Sequence, residues 1–424
     1  MASSRVSELY AVLRRLSPTA RLLIVCRAVR SLGQGVLVVD FALYLSALHW
    51  SAVQMSAVYT GGLLLGAALT LVAGPVSDWV GRKPFLFWYG ISQVAAGLIG
   101  LLTTDPLWLG TAAVVGAFGR GANGAAGPFG PVEQAWLSDN LPDEDYGPVY
   151  SLNTAVGYGG MAAGAFLAAL PAAWAAWLPG DLRYRPLFLF VLVGALITLW
   201  LLPRMTEARI AVRAGDDGTP AAPAAPAAQR AAARPVGDWA HQRGMLVRLV
   251  GINALNGLAS GVIGPFMAYW FHLRYGAGAA AIAPVIALGF VLASVASLWT
   301  AWLTRRVGTA LAVVLTRLAG VALLAVLPFA PTYGAAAACY VLRAAFNRGS
   351  AGARQAVGVK LVDPAHRGLA ASLNAISMQI PRAVGPILGG VLLETNLLAL
   401  PMLIAAALQA AYLTLYGITF RALD

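Results

Sequence analysis

The chain has 424 residues, of which 59% are apolar and 11% charged, and it carries a formal net charge of +12. Average soluble domains are roughly a quarter charged, so this composition, with a mean hydropathy of +0.73, excludes a disordered chain and argues against a soluble enzyme. A protein that crosses a bilayer many times is the class that remains.

A spanning helix needs about 20 predominantly apolar residues. Twelve such runs follow one another: 22–48, 52–75, 84–103, 106–136, 150–173, 186–203, 246–272, 279–303, 309–330, 333–358, 369–394 and 396–419. The fourth and tenth are long, so tilt or bending is expected there. Ahead of the first run, residues 4–16 place Val6, Leu9, Leu13 and Leu16 on one side, with Arg5, Arg14 and Arg15 nearby. That pattern suits an interfacial anchor. The first run is too long for a signal-peptide core and no small-residue cleavage site follows it, so it reads as a retained helix.

Residues 204–245 break the pattern with Arg204, Arg209, Arg213, Arg230, Arg234, Arg243 and an alanine-rich run punctuated by Pro220, Pro223 and Pro226. This composition predicts an extended polar tether. The expected organisation is a six-helix bundle over 1–203, a linker over 204–245 and a second six-helix bundle over 246–424. The halves repeat: Ser151-Leu152-Asn153 recurs as Ser372-Leu373-Asn374, and at the same spacing Gln134, Gly147 and Gly164 match Gln355, Gly368 and Gly385. Two such bundles place a binding site between them near the midplane.

The basic residues sort to one side. With both termini cytoplasmic, the N-terminal arginines, Arg21, Arg82, Lys83, the linker arginines, Arg305, Arg306, Lys360, Arg367 and Arg421 all lie inside, against Arg183, Arg185 and Arg274 outside. This is the positive-inside distribution. It accounts for most of the +12 without nucleic acid, and the lipid bilayer is the partner it implies. Cys26 and Cys339 sit in apolar runs and offer neither a disulfide framework nor a metal spacing. The four histidines are scattered, neither lysine follows a glycine as a phosphate loop requires, and no cofactor or metal is expected.

Charged side chains inside the apolar runs are costly and mark function. Helix 1 carries Arg27, Arg30, Gln34 and Asp40. At 100° per residue Arg30 and Asp40 differ by about 80°, so both could border one cavity without pairing. Asp40 is the first candidate for a proton-carrying carboxylate; desolvation and a nearby arginine would act on it in opposite senses. The other reading of Asp40 is a polar helix contact or a place near the outer surface. Between helices 2 and 3 stands Gly74-Pro75-Val76-Ser77-Asp78-Trp79-Val80-Gly81-Arg82-Lys83. This segment resembles the loop signature of the major facilitator superfamily, G-x-x-[SA]-D-x-x-G-R-[KR]. With twelve runs and the half-repeat, the resemblance extends over essentially the whole chain. It implies an all-α fold of two six-helix bundles that moves a small-molecule substrate by alternating access, with Gly74, Asp78, Gly81, Arg82 and Lys83 as the cytoplasmic gate. The second-half counterpart, Leu303-Thr304-Arg305-Arg306-Val307-Gly308, has Arg305 in the Asp position, so one such latch is expected.

Helix 4 carries Arg120 roughly 21 Å along its length, where a charge costs about 2.5–3.5 kcal/mol. Its surroundings, Arg120-Gly121-Ala122-Asn123-Gly124, resemble the family's helix-4 arginine motif, with Asn123 in place of the usual Gln. The resemblance links Arg120 to proton coupling. Gly127, Pro128, Gly130 and Pro131 predict a bend, and Glu133 beyond it could serve as an ion-pair partner or a proton carrier. On helix 7, Asn253, Asn256, Gly257, Ser260, Gly261 and Gly264 form a small polar face, which suits close packing for the glycines and a cavity contact for Asn256; Pro265 permits a bend. Helix 10 brings Arg343, Asn347, Arg348 and Arg354, and helix 11 brings Arg382. A cytoplasmic network or snorkelling suits Arg354; Arg343, Asn347 and Arg382, with Arg30 and Gln34, are the expected cavity lining.

Arginines 27, 30, 120, 343, 348, 354 and 382 outnumber the acids Asp40 and Glu133 in the runs, which favours an anionic or zwitterionic substrate. The family's antiporters carry G-P-x-x-G-G on helix 5. Here the motif stands on helix 11 as Gly385-Pro386-Ile387-Leu388-Gly389-Gly390, whereas helix 5 has Ala165 at the proline position. The expectation is a monomeric, proton-coupled exporter of the bacterial cytoplasmic membrane. Proton-coupled uptake of an organic anion is the alternative; a membrane enzyme or a transport-like receptor has less support.

Overall fold

The computed structural model describes residues 16–119, 129–138, 140–141, 146–207, 239–307, 309–350 and 367–420. Fourteen α-helices account for almost all of them, and among the described residues there is no strand. Helix α1 spans Pro18–Ala47. Ser17 caps it, its hydroxyl accepting the Ala20 N–H at 3.1 Å, and Pro18 fixes the first turn. Helix α2, Ala52–Val80, opens with a capping box in which Ser51 and Gln54 satisfy each other's backbone N–H groups. Helix α3 spans Arg82–Leu102 and α4 spans Pro106–Gly116.

The fourth apolar run is interrupted. Helix α4 stops where Ala117 and Gly119 adopt left-handed backbone angles, φ 52° and 63°, and α5 occupies Phe129–Ser138. The break thus begins ahead of the Gly-Pro cluster that predicted it. Helices α6 (Tyr146–Leu167) and α7 (Phe188–Leu201) are joined through two 3₁₀ turns, Leu170–Ala172 and Leu182–Leu187. The seventh run divides at Gly264–Pro265 as expected, giving α8 (Trp239–Ile263) and α9 (Met267–Tyr275). Helix α8 begins inside the stretch read as linker. Helices α10 (Ala279–Val307), α11 (Thr309–Val326), α12 (Tyr333–Gly349), α13 (Arg367–Glu394) and α14 (Leu400–Phe420) complete the chain.

Among the described residues, ten helical segments are long and apolar enough to cross a membrane. The two remaining expected spans, 106–136 and 333–358, include residues outside the description, so α4, α5 and α12 represent them only in part. The chain is an integral membrane protein. The amphipathic stretch ahead of Leu16 and the linker residues 208–238 also lie outside the described residues.

In the first half of the chain α1 packs on α6 and α7, α3 on α4 and α7, and α2 on α4. In the second half α8 packs on α13 and α14, α10 on α12, and α11 on α12 and α14. The two groups meet mainly where α2 lies along α13 and α6 along α10. Both groups use small residues to bring helix backbones together. On α6, a Cβ at Gly164 would lie 2.0 Å from the Leu32 carbonyl oxygen of α1; on α8, a Cβ at Gly261 would lie 2.1 Å from the Arg382 carbonyl oxygen of α13. The small face read on helix 7 is therefore a packing face at Gly257 and Gly261, and the crossing of α1 with α6 repeats as that of α8 with α13.

Candidate translocation site

In the first half, Arg30 on α1 donates through Nη2 to Glu133 Oε2 on α5, joining the two in an ion pair. Glu133 is buried, and its second carboxylate oxygen has no hydrogen-bond partner among the described residues. Arg27, one turn before Arg30, lies within electrostatic reach of Glu133, Arg30 and Tyr158. Its guanidinium packs over Gly157 of α6, where a Cβ would stand 2.8 Å from Nε. Gln34 is half-buried on the same helix. The sequence singled out Arg30 and Glu133 separately; the fold brings them together.

Asp40 is 1% exposed, and neither carboxyl oxygen has a hydrogen-bond partner among the described residues. It lies on the part of α1 that approaches the Leu182–Leu187 turn, with Arg183 and Tyr184 of that turn in electrostatic reach. Arg183 is itself held there: its Nη2 donates to the Tyr184 hydroxyl at 3.3 Å, its guanidinium stands 5.0 Å from that ring, and its carbonyl accepts the Trp174 indole N–H at 2.7 Å. Asp40 and the Arg30–Glu133 pair thus occupy separate places along α1.

In the second half, a buried side chain not singled out by the sequence reading links three helices. Arg317 on α11 is 2% exposed, donates to Asn256 Oδ1 at 2.6 Å and stands 4.8 Å from the Tyr412 ring of α14. Asn256 also directs its amide to the Met378 sulfur at 3.7 Å, so it faces α11 and α13. A lone arginine in the apolar run 309–330 was the available signal. On α12, Arg343 is buried and Arg348 lies over the Phe290 ring at 4.4 Å while donating to the Tyr340 hydroxyl at 3.3 Å. Phe290 in turn faces Tyr158 across the two halves, with ring centroids 6.3 Å apart. Asn347 is half-buried, its carbonyl accepting from Ser350 at 3.0 Å. Arg382 is buried on α13 beside the α8 crossing.

At the α2–α3 turn, Gly81 has φ 101° and ends α2. Glu207 then accepts the backbone N–H groups of Arg82 at 2.6 Å and Lys83 at 3.3 Å, while Lys83 Nζ donates to the carbonyls of Pro203 at 3.0 Å and Met205 at 3.1 Å. The basic turn is thereby fastened to the segment that follows α7, within its own half. Glu207 was not anticipated. The surroundings of Gly74, the side chain of Asp78, and all of Arg120 and Arg354 lie outside what is described.

The sequence model of the Major Facilitator Superfamily matches residues 23–342. Among solved structures, the chain resembles a bacterial homologue of the human lysosomal transporter Spinster in an inward-facing, unoccupied conformation, with TM-score 0.69, 14% identity and coverage of 95% of this chain and 96% of that one. It also resembles the nucleoside transporter NupG, with TM-score 0.68, 12% identity and coverage of 96% and 100%, and an auto-inhibited POT family peptide transporter, with TM-score 0.70, 12% identity and coverage of 96% and 97%. A 99-residue stretch is 34% identical to Monosaccharide-sensing protein 1 of Arabidopsis thaliana, spanning 23% of this chain and 13% of that protein. The chain belongs to the Major Facilitator Superfamily. That membership supports a secondary transporter that works by alternating access.

Proposed function

We propose that this transporter exports a small organic solute with anionic or zwitterionic groups in exchange for protons. The observation that supports this reading is the charge inside the helices. Arg27, Arg30, Arg317, Arg343, Arg348 and Arg382 stand there against Asp40 and Glu133. A low-dielectric interior with that surplus attracts anions. Asp40 or Glu133 carries the proton and Arg120 assists the coupling. Arg30, Gln34, Arg343, Asn347 and Arg382 set the charge preference of the cavity, and Asn256 acts there through Arg317. Gly74, Asp78, Gly81, Arg82 and Lys83 form the cytoplasmic gate, and Asp78→Asn slows cycling without preventing assembly. The linker 204–245 joins bundles 1–203 and 246–424, and the protein works as a monomer in a bacterial cytoplasmic membrane with both termini inside.

The test is transport in liposomes of purified protein under an imposed pH gradient of each sign, with a panel of organic anions, zwitterions and cations. The expected result is anion or zwitterion movement against the proton flow, lost on charge reversal at Arg343 or Arg382. Indifference to the gradient, or unchanged anion transport in those variants, overturns it. Movement with the protons favours uptake instead, a reading that Ala165 at the proline position of the antiporter motif supports.

A further inference from the structure

At the end of the molecule that carries the α1–α2 turn, the two halves are joined by a carboxylate. Glu394 is the last residue of α13, in the second half, and Ala52 and Val53 are the first two residues of α2, in the first half. Glu394 Oε2 accepts the Ala52 N–H at 2.6 Å and the Val53 N–H at 3.4 Å. A helix N-terminus leaves its first N–H groups without intrahelical partners and carries partial positive charge. Helix α2 satisfies the Gln54 N–H from its own Ser51, but it takes the acceptor for its first two amides from the other half. A negatively charged acceptor is the strongest available there.

The surroundings hold the two ends in register. A Cβ at Gly390, one turn before Glu394, would lie 2.6 Å from both the Ala52 carbonyl oxygen and the Ser56 Cβ, so α13 rests directly on the first turn of α2. Tyr59 of α2 meets Phe266, just ahead of α9, edge to face at 5.4 Å. Tyr269 of α9 stands close to both Ser46 of α1 and Glu394. The residue one half-repeat before Glu394 is Ala173, so the corresponding place in the first half has no carboxylate.

We propose that Glu394 is a latch between the halves: it caps α2 only while this end of the molecule is closed, and alternating access must break that cap each time this end opens. On the orientation given above this is the outer end, but the latch is defined by the two helix ends and holds for either orientation. It biases the resting equilibrium toward closure here.

The test measures the distance across this end by spin-label spectroscopy. Labels are placed at Leu107 in the first half and Phe329 in the second, on full-length protein in which Cys26 and Cys339 are alanine, without substrate or pH gradient. Glu394→Ala is expected to raise the ratio of open to closed populations about tenfold or more, and Glu394→Gln to raise it less. Gln54→Ala weakens the same helix end from within its own half. It is expected to lower thermal stability while leaving the ratio at the wild-type value. An unchanged ratio in both Glu394 variants, or an equal shift in Gln54→Ala, overturns the latch. Because neither protons nor substrate enter the measurement, its failure would leave the proposed transport reaction standing.

Discussion

Arg30 and Glu133 form an ion pair between α1 and α5 that is almost wholly removed from solvent, with side chains 13% and 2% exposed. Breaking such a pair from one side leaves the other charge buried without its counterpart, at a cost of about 3–5 kcal/mol. Arg27, in reach of Glu133, softens the loss of Arg30. Arg30→Gln is therefore expected to destabilise by the lower end of that range, and the double variant Arg30→Gln, Glu133→Gln to recover most of the loss. Thermal unfolding in detergent across the four-member cycle checks this. Additive losses would show that the two groups do not act as a pair.

Two glycines on one helix should respond in opposite directions. A Cβ at Gly164 meets the Leu32 carbonyl oxygen at 2.0 Å, whereas nothing lies within 4 Å of one at Gly159. Gly164→Ala must push α1 and α6 apart and is expected to cost about 2–3 kcal/mol. Gly159→Ala adds helix propensity in open space and is expected to gain about 0.5–1 kcal/mol. The melting temperatures of the two variants should fall on either side of wild type.

The helices were legible because each apolar run is long enough to span and a soluble core does not require such runs. Pro265 marked the division between α8 and α9, since a proline removes a helix bond and follows Gly264. The end of α4 was less legible: Ala117 takes a left-handed backbone conformation, which its side chain does not announce. The residues with buried charge could be recognised one at a time from their depth. Their partners could not, because Arg30 and Glu133, Arg317 and Asn256, or Ala52 and Glu394 are brought together only by tertiary packing. Glu207 and Glu394 escaped notice for a shared reason. Both stand at helix or segment ends, where an acidic residue reads as solvated, and both cap helices from a distance in sequence.

The Glu207 cap has a local signature. Helix α3 receives no side-chain cap from Gly81, so Glu207 alone among the described residues supplies its first amides with a carboxylate. Glu207→Ala is expected to cost about 1 kcal/mol, in line with other lost helix caps. The Arg82 and Lys83 amides should exchange with solvent several-fold faster, as read by hydrogen exchange. Amides in the first turn of α1, capped by Ser17, should exchange at the wild-type rate. Uniform acceleration of both helix ends would instead indicate general loosening.

Asp40 separates structural from transport roles most cleanly. A buried carboxyl contributes little to holding a fold together when, as for Asp40 among the described residues, it has no hydrogen-bond partner; Arg183 reaches it electrostatically from the neighbouring turn. Asp40→Asn preserves shape and removes the charge, so thermal stability is expected to stay level or rise. If Asp40 carries the proton, the variant should lose transport driven by a pH gradient while retaining substrate exchange in the absence of one, since exchange requires only that the loaded carrier cross. Loss of both activities with unchanged stability would place Asp40 in substrate binding. Retention of both would move the proton to Glu133, whose carboxylate already answers to Arg30 and whose second oxygen has no partner among the described residues.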